Sequence, residues 1–397
     1  MSNNSDKNKQ NDKKRNNEDA NDNEKNKKRK EDHQPINFIR IIPQLILPFE
    51  DDNFFEDDIN NIDELIEEDI FYNDNEYDEI ITKSIETIDD LIELGKLYDP
   101  KNPKKKYNIN VKKLNDLIGP LTELNRMIGM KNVKQTVVDL IIYYLQDFEK
   151  YTDNMMHTVI YGPPGCGKTE LANILAKIYC KMGIIKTNKV VKKKRSDLVG
   201  EYLGHTAKQT QRAIDEAKDG VLFIDEAYSL GNKELRDSFA KECIDTLNQN
   251  LTENKNKFIC IIAGYKHALS KCFFAYNEGL ERRFPFKFEV DPYTGEDLKN
   301  IFIKIVKVND WILHEDIPTE FFENNINYFK FYGGDMETLF HFTKITHARR
   351  VFCLPKKDKK SINYKDVEKA FQLFCSDDEV KKRDNKDIQN IYKQLYM

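Results

Sequence analysis

Residues 161–179 read YGPPGCGKTELANILAKIY, and this stretch sets the architecture of the chain. Its first part fits the pattern G-x-x-x-x-G-K-[ST] from Gly162 to Thr169, in which a glycine-rich turn surrounds phosphate groups. A short apolar run, HTVIY at 157–161, precedes the turn, and a helical pattern over 169–182 follows it. Strand, phosphate-binding turn and helix in this order predict an α/β protein that binds a nucleotide.

Every position of this turn, called the P-loop below, is a candidate for cofactor binding. Its residues are Gly162, Pro163, Pro164, Gly165, Cys166, Gly167, Lys168 and Thr169. The glycines permit a tight turn whose N–H groups surround phosphate, and the following helix N-terminus adds partial positive charge. Lys168 is predicted to reach the β- and γ-phosphates, and Thr169 to offer a hydroxyl to Mg²⁺. Cys166 stands where the pattern accepts any residue, so we interpret it as filler rather than as a nucleophile.

A second motif, GVLFIDEAYSL at 220–230, supplies acidic groups. A buried strand over its apolar residues would leave Asp225 and Glu226 at its C-terminal end, where open α/β sheets bind ligands. Asp225 is predicted to bind the nucleotide's Mg²⁺, and Glu226 to be the catalytic residue that polarises the attacking water. The two motifs together predict a Mg²⁺-dependent ATP hydrolase whose cofactors are ATP and Mg²⁺.

Bulk composition excludes several classes of protein. The chain has 397 residues and a net charge of -5, which argues against a surface dominated by nucleic-acid binding. No apolar run is long enough to span a bilayer, and the first residues lack the apolar core of a secretory signal. The seven cysteines are scattered without a Cys-x-x-Cys pair, which predicts reduced core thiols. We expect an intracellular, soluble protein without a membrane partner, most consistent with the cytoplasm.

Changes in composition divide the chain into five predicted regions. These are a disordered polar tail (1–33), an acidic, partly helical region with a linker (34–114), a large α/β subdomain (115–292), a helical lid (293–376) and a charged tail (377–397). Basic residues at 14–15 and 27–30 fit either a bipartite nuclear-import signal or a solvated tail, so a nuclear location stays open. The acidic, aromatic segment 41–82 fits a partner-recruitment segment or a helical piece packed on the main body.

Several segments together resemble one family. The P-loop, the DEAYSL motif and the segment RSDLVGEYLGHTAKQTQRAIDEAKDG that precedes it are similar to the AAA+ ATPases. The resemblance is strongest to the CbbX/SpoVK-like branch and to AAA+ proteins of large DNA viruses, over about residues 115–375. It implies a P-loop NTPase module, with a parallel sheet sandwiched by helices, followed by a small helical lid. It also implies a homo-oligomeric ring, a hexamer in most of the family, with ATP sites at subunit interfaces.

The resemblance assigns roles to individual residues. LVGEYLGHT matches the family's pore-loop segment, which implies that Tyr202 grips a protein substrate at the central hole. GLERRFPFKFEV aligns Arg283, beside Arg282, with the arginine finger that a neighbouring subunit supplies to the transferring phosphoryl group. FICIIAGYKHAL aligns Tyr265 with the polar sensor near the γ-phosphate, where many relatives have Asn. The Ile-Gly turn within 121–141 is similar to the family's entry segment near adenine.

The lid departs from the family pattern at one position. Where the branch often has an arginine that touches the nucleotide, this chain has Met336. Either Arg349 or Arg350 substitutes from further along, or the lid senses the nucleotide without a direct charge.

Three functions remain open at this stage. The leading hypothesis is an ATPase that remodels a protein substrate through a central pore. The lysine-rich segments KNPKKKYN (101–108) and KVVKKKRSD (189–197) favour the alternative of a nucleic-acid motor or loader, although such runs are more often solvated charge. The third is an ATP-gated assembly scaffold with little turnover, against which the complete set of predicted catalytic residues argues.

Overall fold

The structure is a computed structural model that describes residues 77–146, 155–202, 204–353, 355 and 359–381. The chain divides into units 1–72 and 73–397, and all described residues belong to the second unit. The predicted tail over 1–33 with its basic pairs, the acidic residues up to 76, and residues 382–397 lie outside the described residues. Among the described helices, none combines the length and apolar character needed to cross a membrane.

Five parallel strands form the central sheet. They are β1 (Thr158–Tyr161), β2 (Val190–Lys193), β3 (Val221–Ile224), β4 (Ile259–Gly264) and β5 (Phe286–Glu289), in the order β2-β3-β4-β1-β5. Thr158 at the start of β1 lies between Ile261 and Phe286 of the neighbouring strands. Strands β1, β3 and β4 are buried along their whole length, which is why they consist of nearly continuous apolar residues.

Helices cover both faces of this sheet. They are α1 (Ile88–Gly95), α2 (Val111–Asn125), α3 (Lys131–Leu145), α4 (Lys168–Met182), α5 (Arg195–Leu198), α6 (His205–Glu216), α7 (Ser238–Glu253) and α8 (Lys266–Cys272). Side chains of β1 alternate: Ile160 joins the core formed with α1–α4, and Val159 joins the core formed with α6 and α7. The predicted α/β class with a helix-covered parallel sheet is confirmed. The boundary predicted between 114 and 115 falls inside α2.

The C-terminal part of the described chain is helical, as predicted. It contains α9 (Gly295–Val308), α10 (Thr319–Asn324), α11 (Gly333–Val351) and α12 (Tyr364–Ser376), with short parallel strands β6 (Ile312–Leu313) and β7 (Ser361–Ile362). Thr294 caps α9, since its hydroxyl accepts a hydrogen bond from the Asp297 amide while the Asp297 carboxylate accepts one from the Thr294 amide. The predicted core positions Leu339 and Phe340 are buried, and Phe342 is partly buried.

All seven cysteines are free thiols, but their burial differs. The buried ones are Cys166, Cys243, Cys260 and Cys272, and the half-buried ones are Cys180 and Cys375. Cys353 is exposed just after α11, so the prediction of core thiols is wrong for this residue. A position in a connection outside the apolar stripe of α11 explains the difference.

Candidate nucleotide site

Three neighbouring strands end at one edge of the sheet, and each is followed by a predicted functional residue. Strand β1 leads into Gly162, β3 into Asp225 and Glu226, and β4 into Tyr265. Because β3, β4 and β1 are adjacent and parallel, these segments meet although they are far apart in the sequence. A cleft of about 940 Å³ opens at this edge, and the P-loop, Asp225 and Glu226 line it.

The P-loop adopts a conformation that only glycine reaches without strain at two positions. Gly165 and Gly167 have φ of 72° and 85°, in the left-handed region. A Cβ on Gly162 would lie 2.7 Å from the Cys166 sulfur, so this position also excludes a side chain. Helix α4 begins at Lys168, within the last two residues of the P-loop, and its first N–H groups have no intrahelical partner. This backbone therefore fits a polyphosphate group.

Lys168 lies across the loop that precedes it. Its ammonium donates hydrogen bonds to the carbonyl oxygens of Gly162 at 3.1 Å and Pro163 at 2.7 Å. The positive charge is thus held inside the curve of the P-loop, on the wall of the cleft. An anion entering the cleft meets this charge together with the N-terminus of α4.

The acidic segment is sharply bent where β3 ends. The Glu226 amide donates to the Asp225 carboxylate at 3.0 Å, and Glu226 itself has φ of 50°, which is uncommon for a residue with a side chain. A 3-10 helix over Ala227–Leu230 follows at once. The bend gives both carboxylates a place on the cleft wall, with Asp225 partly buried and Glu226 exposed.

Two tyrosines lie near the Glu226 carboxylate. The rings of Tyr228 and Tyr265 have centroids 5.9 Å apart. Burial, and next the charge of Glu226, raises the pKa of Tyr228 to about 12 and also raises the pKa of Tyr265. Both phenols therefore remain hydrogen-bond donors at neutral pH. Tyr228 was not singled out from the sequence; its position two residues after Glu226 was the available signal.

The remaining walls of the cleft combine apolar and cationic side chains. Met127 and Ile128, in the turn between α2 and α3, line it together with Ile301 and Ile305 of α9. Apolar walls of this kind suit a flat ring system such as a nucleobase. The lid also contributes cations, which no sequence pattern identified: Lys304 of α9 and Lys344 of α11.

The helical phase of α11 explains the absence of an arginine at position 336. Met336 is fully buried on the same stripe as Leu339, whereas Glu337, His341 and Lys344 line the cleft. Phe340 is buried and also lines the cleft. A cation at position 336 would be removed from water in an apolar core.

Neither arginine considered as a substitute is among the described residues that line the cleft. Arg350 instead donates to the Asp366 carboxylate at 2.9 Å and to the Ser361 carbonyl oxygen at 3.0 Å, while Arg349 is exposed. These bonds join α11 to β7 and α12, and the side chain of Arg350 therefore stabilises the lid itself.

Arg283 and Tyr202 lie apart from this cleft, whose described lining includes neither. Arg283 donates from Nε to the Thr252 hydroxyl and from Nη1 to the Gly279 carbonyl oxygen, both at 2.7 Å. Tyr202, between α5 and α6, is 66% exposed, and its ring meets His205 edge-on at 5.7 Å between centroids. Neither side chain therefore lines the place where the P-loop of its own chain would hold a nucleotide.

Comparison with known proteins identifies the family. The model of the ATPase family associated with various cellular activities (AAA) matches residues 158–291. A putative cfxQ-like protein of Acanthamoeba polyphaga mimivirus is 44% identical over 309 residues, which are 77% of this chain and 76% of that protein. The chain belongs to the AAA family. It is an ATP hydrolase of the branch that the sequence resemblance indicated.

Bacterial relatives of this AAA ATPase match a smaller share of their own length. Stage V sporulation protein K of Bacillus subtilis is 31% identical over 49% of this chain and 62% of that protein. The ESX-3 secretion system protein EccA3 of Mycolicibacterium smegmatis is 34% identical over 50% of this chain and 34% of that protein. The solved AAA domain of FIGL-1 in complex with ADP has a TM-score of 0.47 at 19% identity, covering 66% of this chain and 89% of that chain.

Proposed function

We propose that this AAA ATPase assembles into a ring, hydrolyses Mg·ATP at subunit interfaces and uses the cycle to remodel a protein substrate through a central pore. The observation that carries the proposal is a physical connection between the acidic end of the ATP cleft and the exposed loop that holds Tyr202.

Within the cleft, the P-loop amides and Lys168 would hold the phosphates. The hydroxyl of Thr169 and the carboxylate of Asp225 are the oxygen ligands that suit Mg²⁺, whose chemistry is to neutralise charge that develops on the phosphates. Glu226 would accept a hydrogen bond from the attacking water and orient it. Tyr228 and Tyr265, as neutral donors beside Glu226, support the position of that carboxylate.

Arg283 would act on a neighbouring subunit. Its side chain is only partly buried, and its own cleft is lined by other residues. The bonds to Thr252 and Gly279 hold the guanidinium against the C-terminal end of α7, so little side-chain entropy remains to be lost when a phosphate arrives. This arrangement supports a trans arginine, which requires an oligomer for full activity.

Arg195 makes the connection between the cleft and the Tyr202 loop. It lies at the first position of α5, and it donates to the Ser229 carbonyl oxygen at 3.0 Å and to the Asp237 carboxylate at 2.6 Å. Ser229 belongs to the 3-10 helix that starts directly after Glu226. Helix α5 ends four residues before Tyr202, so a shift of the acidic segment would pass through Arg195 to the base of this loop.

Two measurements test the proposal. We expect wild type and Glu226→Gln to form a ring with Mg·ATP, measured as particle mass. The Gln variant should retain the ring because it does not hydrolyse the bound ATP. A permanently unfolded polypeptide, reduced and carboxymethylated α-lactalbumin, should then stimulate ATP hydrolysis by wild type and Tyr202→Phe, but not by Tyr202→Ala.

The control is single-stranded DNA tested across a range of salt. Stimulation by DNA that fades steeply as salt rises, without stimulation by the polypeptide, would support the nucleic-acid motor instead. A monomer under every nucleotide condition would contradict the ring, the trans arginine and the pore together.

A further inference from the structure

The P-loop contacts the lid as well as forming the phosphate site. Two consecutive carbonyl oxygens in the middle of the loop accept hydrogen bonds from outside it. The Gly165 carbonyl accepts from the Gly333 amide at 3.1 Å, and the Cys166 carbonyl accepts from the Tyr293 hydroxyl at 3.1 Å. Gly333 opens helix α11 of the lid, and Tyr293 lies two residues before α9, at the entrance to the lid.

These two bonds fix the direction of the loop's amides. In a trans peptide the carbonyl oxygen and the following N–H point in opposite directions. Because the carbonyls of Gly165 and Cys166 point toward Gly333 and Tyr293, the N–H groups of Cys166 and Gly167 point away from those donors. Amide direction decides whether a glycine-rich turn attracts or repels an anion.

The contact between loop and lid is close at the level of the backbone. A Cβ on Gly165 would lie 2.1 Å from the carbonyl oxygen of Phe331, which leaves no space for a side chain. Phe331 begins the lid turn (Phe331–Gly334), whose shape is held by a 2.7 Å hydrogen bond from the Phe331 amide to the Asp335 carboxylate. Tyr332 in this turn has φ of 44°, an uncommon value that the surrounding contacts must maintain.

Tyr293 joins both partners. Its hydroxyl bonds to the P-loop, and its ring meets the Tyr332 ring edge-on with centroids 5.0 Å apart. The Tyr293 side chain is buried, and this burial raises its pKa well above the usual range, which keeps the phenol protonated as a donor. A movement of the lid turn therefore reaches the P-loop through two routes, the Gly333 amide and the Tyr293 ring.

We propose that Tyr293 and the lid turn are positioning elements that hold the P-loop amides in the phosphate-binding direction. Contact of the lid with the P-loop and binding of nucleotide are then thermodynamically coupled. Bound nucleotide stabilises the lid contact by the same free energy by which the lid contact increases nucleotide affinity. The inference rests on the assignment of residues 162–169 as the phosphate loop.

The test removes only the hydroxyl of Tyr293 in the full chain. Tyr293→Phe keeps the ring contact with Tyr332 and loses the bond to the Cys166 carbonyl. We expect the Kd of a fluorescent Mg·ADP analogue and the KM for ATP to rise about fivefold, the effect of one neutral hydrogen bond, while kcat stays within about twofold. Nucleotide should also protect the Gly333 amide from hydrogen exchange in wild type, and less so in Tyr293→Phe.

The matched control is Tyr179→Phe. Tyr179 is another buried tyrosine, and its hydroxyl bonds to the Thr158 hydroxyl at 2.9 Å, where α4 meets β1. This variant should lose stability but bind the analogue with wild-type Kd. A second variant, Gly333→Ala, would bring a Cβ within 2.8 Å of the Gly165 carbonyl oxygen and should weaken binding by displacing the lid turn.

The outcomes distinguish failure of the positioning role from failure of the phosphate-loop assignment. Wild-type Kd in both Tyr293→Phe and Gly333→Ala, or an equal loss in Tyr179→Phe, would overturn the positioning role. Undiminished binding by Lys168→Ala would overturn the phosphate-loop assignment itself, and with it the basis of the inference.

Discussion

Acidification should destabilise this protein through His157, which precedes β1 and the P-loop. The imidazole is buried, and its Nε2 donates to the Leu251 carbonyl oxygen of α7 while its Nδ1 accepts from the Cys260 amide of β4, both at 3.0 Å. Only the neutral ring protonated at Nε2 satisfies both partners, because protonation at Nδ1 would oppose two N–H groups. Burial lowers the pKa of His157 from the ordinary 6.5 to about 4.

The sign and size of the effect follow from linkage. The pKa is depressed in the folded state, so the unfolded chain binds a proton first as the pH falls. Stability is complete above pH 6.5 and is lost progressively down to pH 4. With the two pKa values above, the free energy of unfolding should fall by about 2 kcal/mol between pH 7 and pH 5 from this residue alone.

The assay is urea unfolding at pH 7 and pH 5, followed by circular dichroism. His157→Gln carries an amide that does not titrate, so its loss between the two pH values should be about 2 kcal/mol smaller than that of wild type. His267→Gln, at an exposed histidine, is the matched control and should keep the wild-type difference. An equal pH response in wild type and His157→Gln would contradict the role assigned to the buried imidazole.

Three further variants test the ATP site. Lys168→Ala should raise the Kd for a fluorescent ATP analogue about 10- to 100-fold, because it removes a charged hydrogen-bond donor. The variant should still fold without ATP, so its circular dichroism spectrum should match that of wild type. Glu226→Gln should bind the analogue with a Kd within about twofold of wild type but lower kcat about 10²- to 10⁴-fold. Arg283→Ala should bind ATP and lower kcat at least about 10³-fold, whereas the adjacent Arg282→Ala should not; equal losses in the two arginine variants would contradict a specific finger.

The parts of the fold that were predicted correctly depend on residues that are close together in the sequence. The P-loop spacing, the buried strands β1 and β3, and the helix α4 each follow from residue types within one short window. Helix α1 lies in the region predicted to be partly helical (34–114), and it begins after Thr87, whose hydroxyl accepts a hydrogen bond from the Asp90 amide at 3.2 Å. Such signals are local because a strand, a cap or a glycine turn is stabilised mostly by its own residues.

Several features of the site came only with the tertiary structure. Tyr293 bonds to a carbonyl 127 residues away, and His157 accepts from an amide 103 residues away. Neither the residue type nor the spacing predicts a distant hydrogen-bond partner, since any tyrosine or histidine in an apolar segment has the same local pattern. The lid cations are a further case: Lys344 lines the cleft because α11 turns Met336 toward the core.

The two motifs of the ATP site in this AAA ATPase could be predicted from the sequence alone. A phosphate loop and an acidic strand end each need only particular side chains at a particular local spacing. Which lid side chains line the cleft, and which P-loop carbonyls accept hydrogen bonds from Gly333 and Tyr293, depended on how the helices pack on the sheet. These contacts form between distant segments and contribute free energy only after the chain has folded. For that reason no local sequence pattern predicts them.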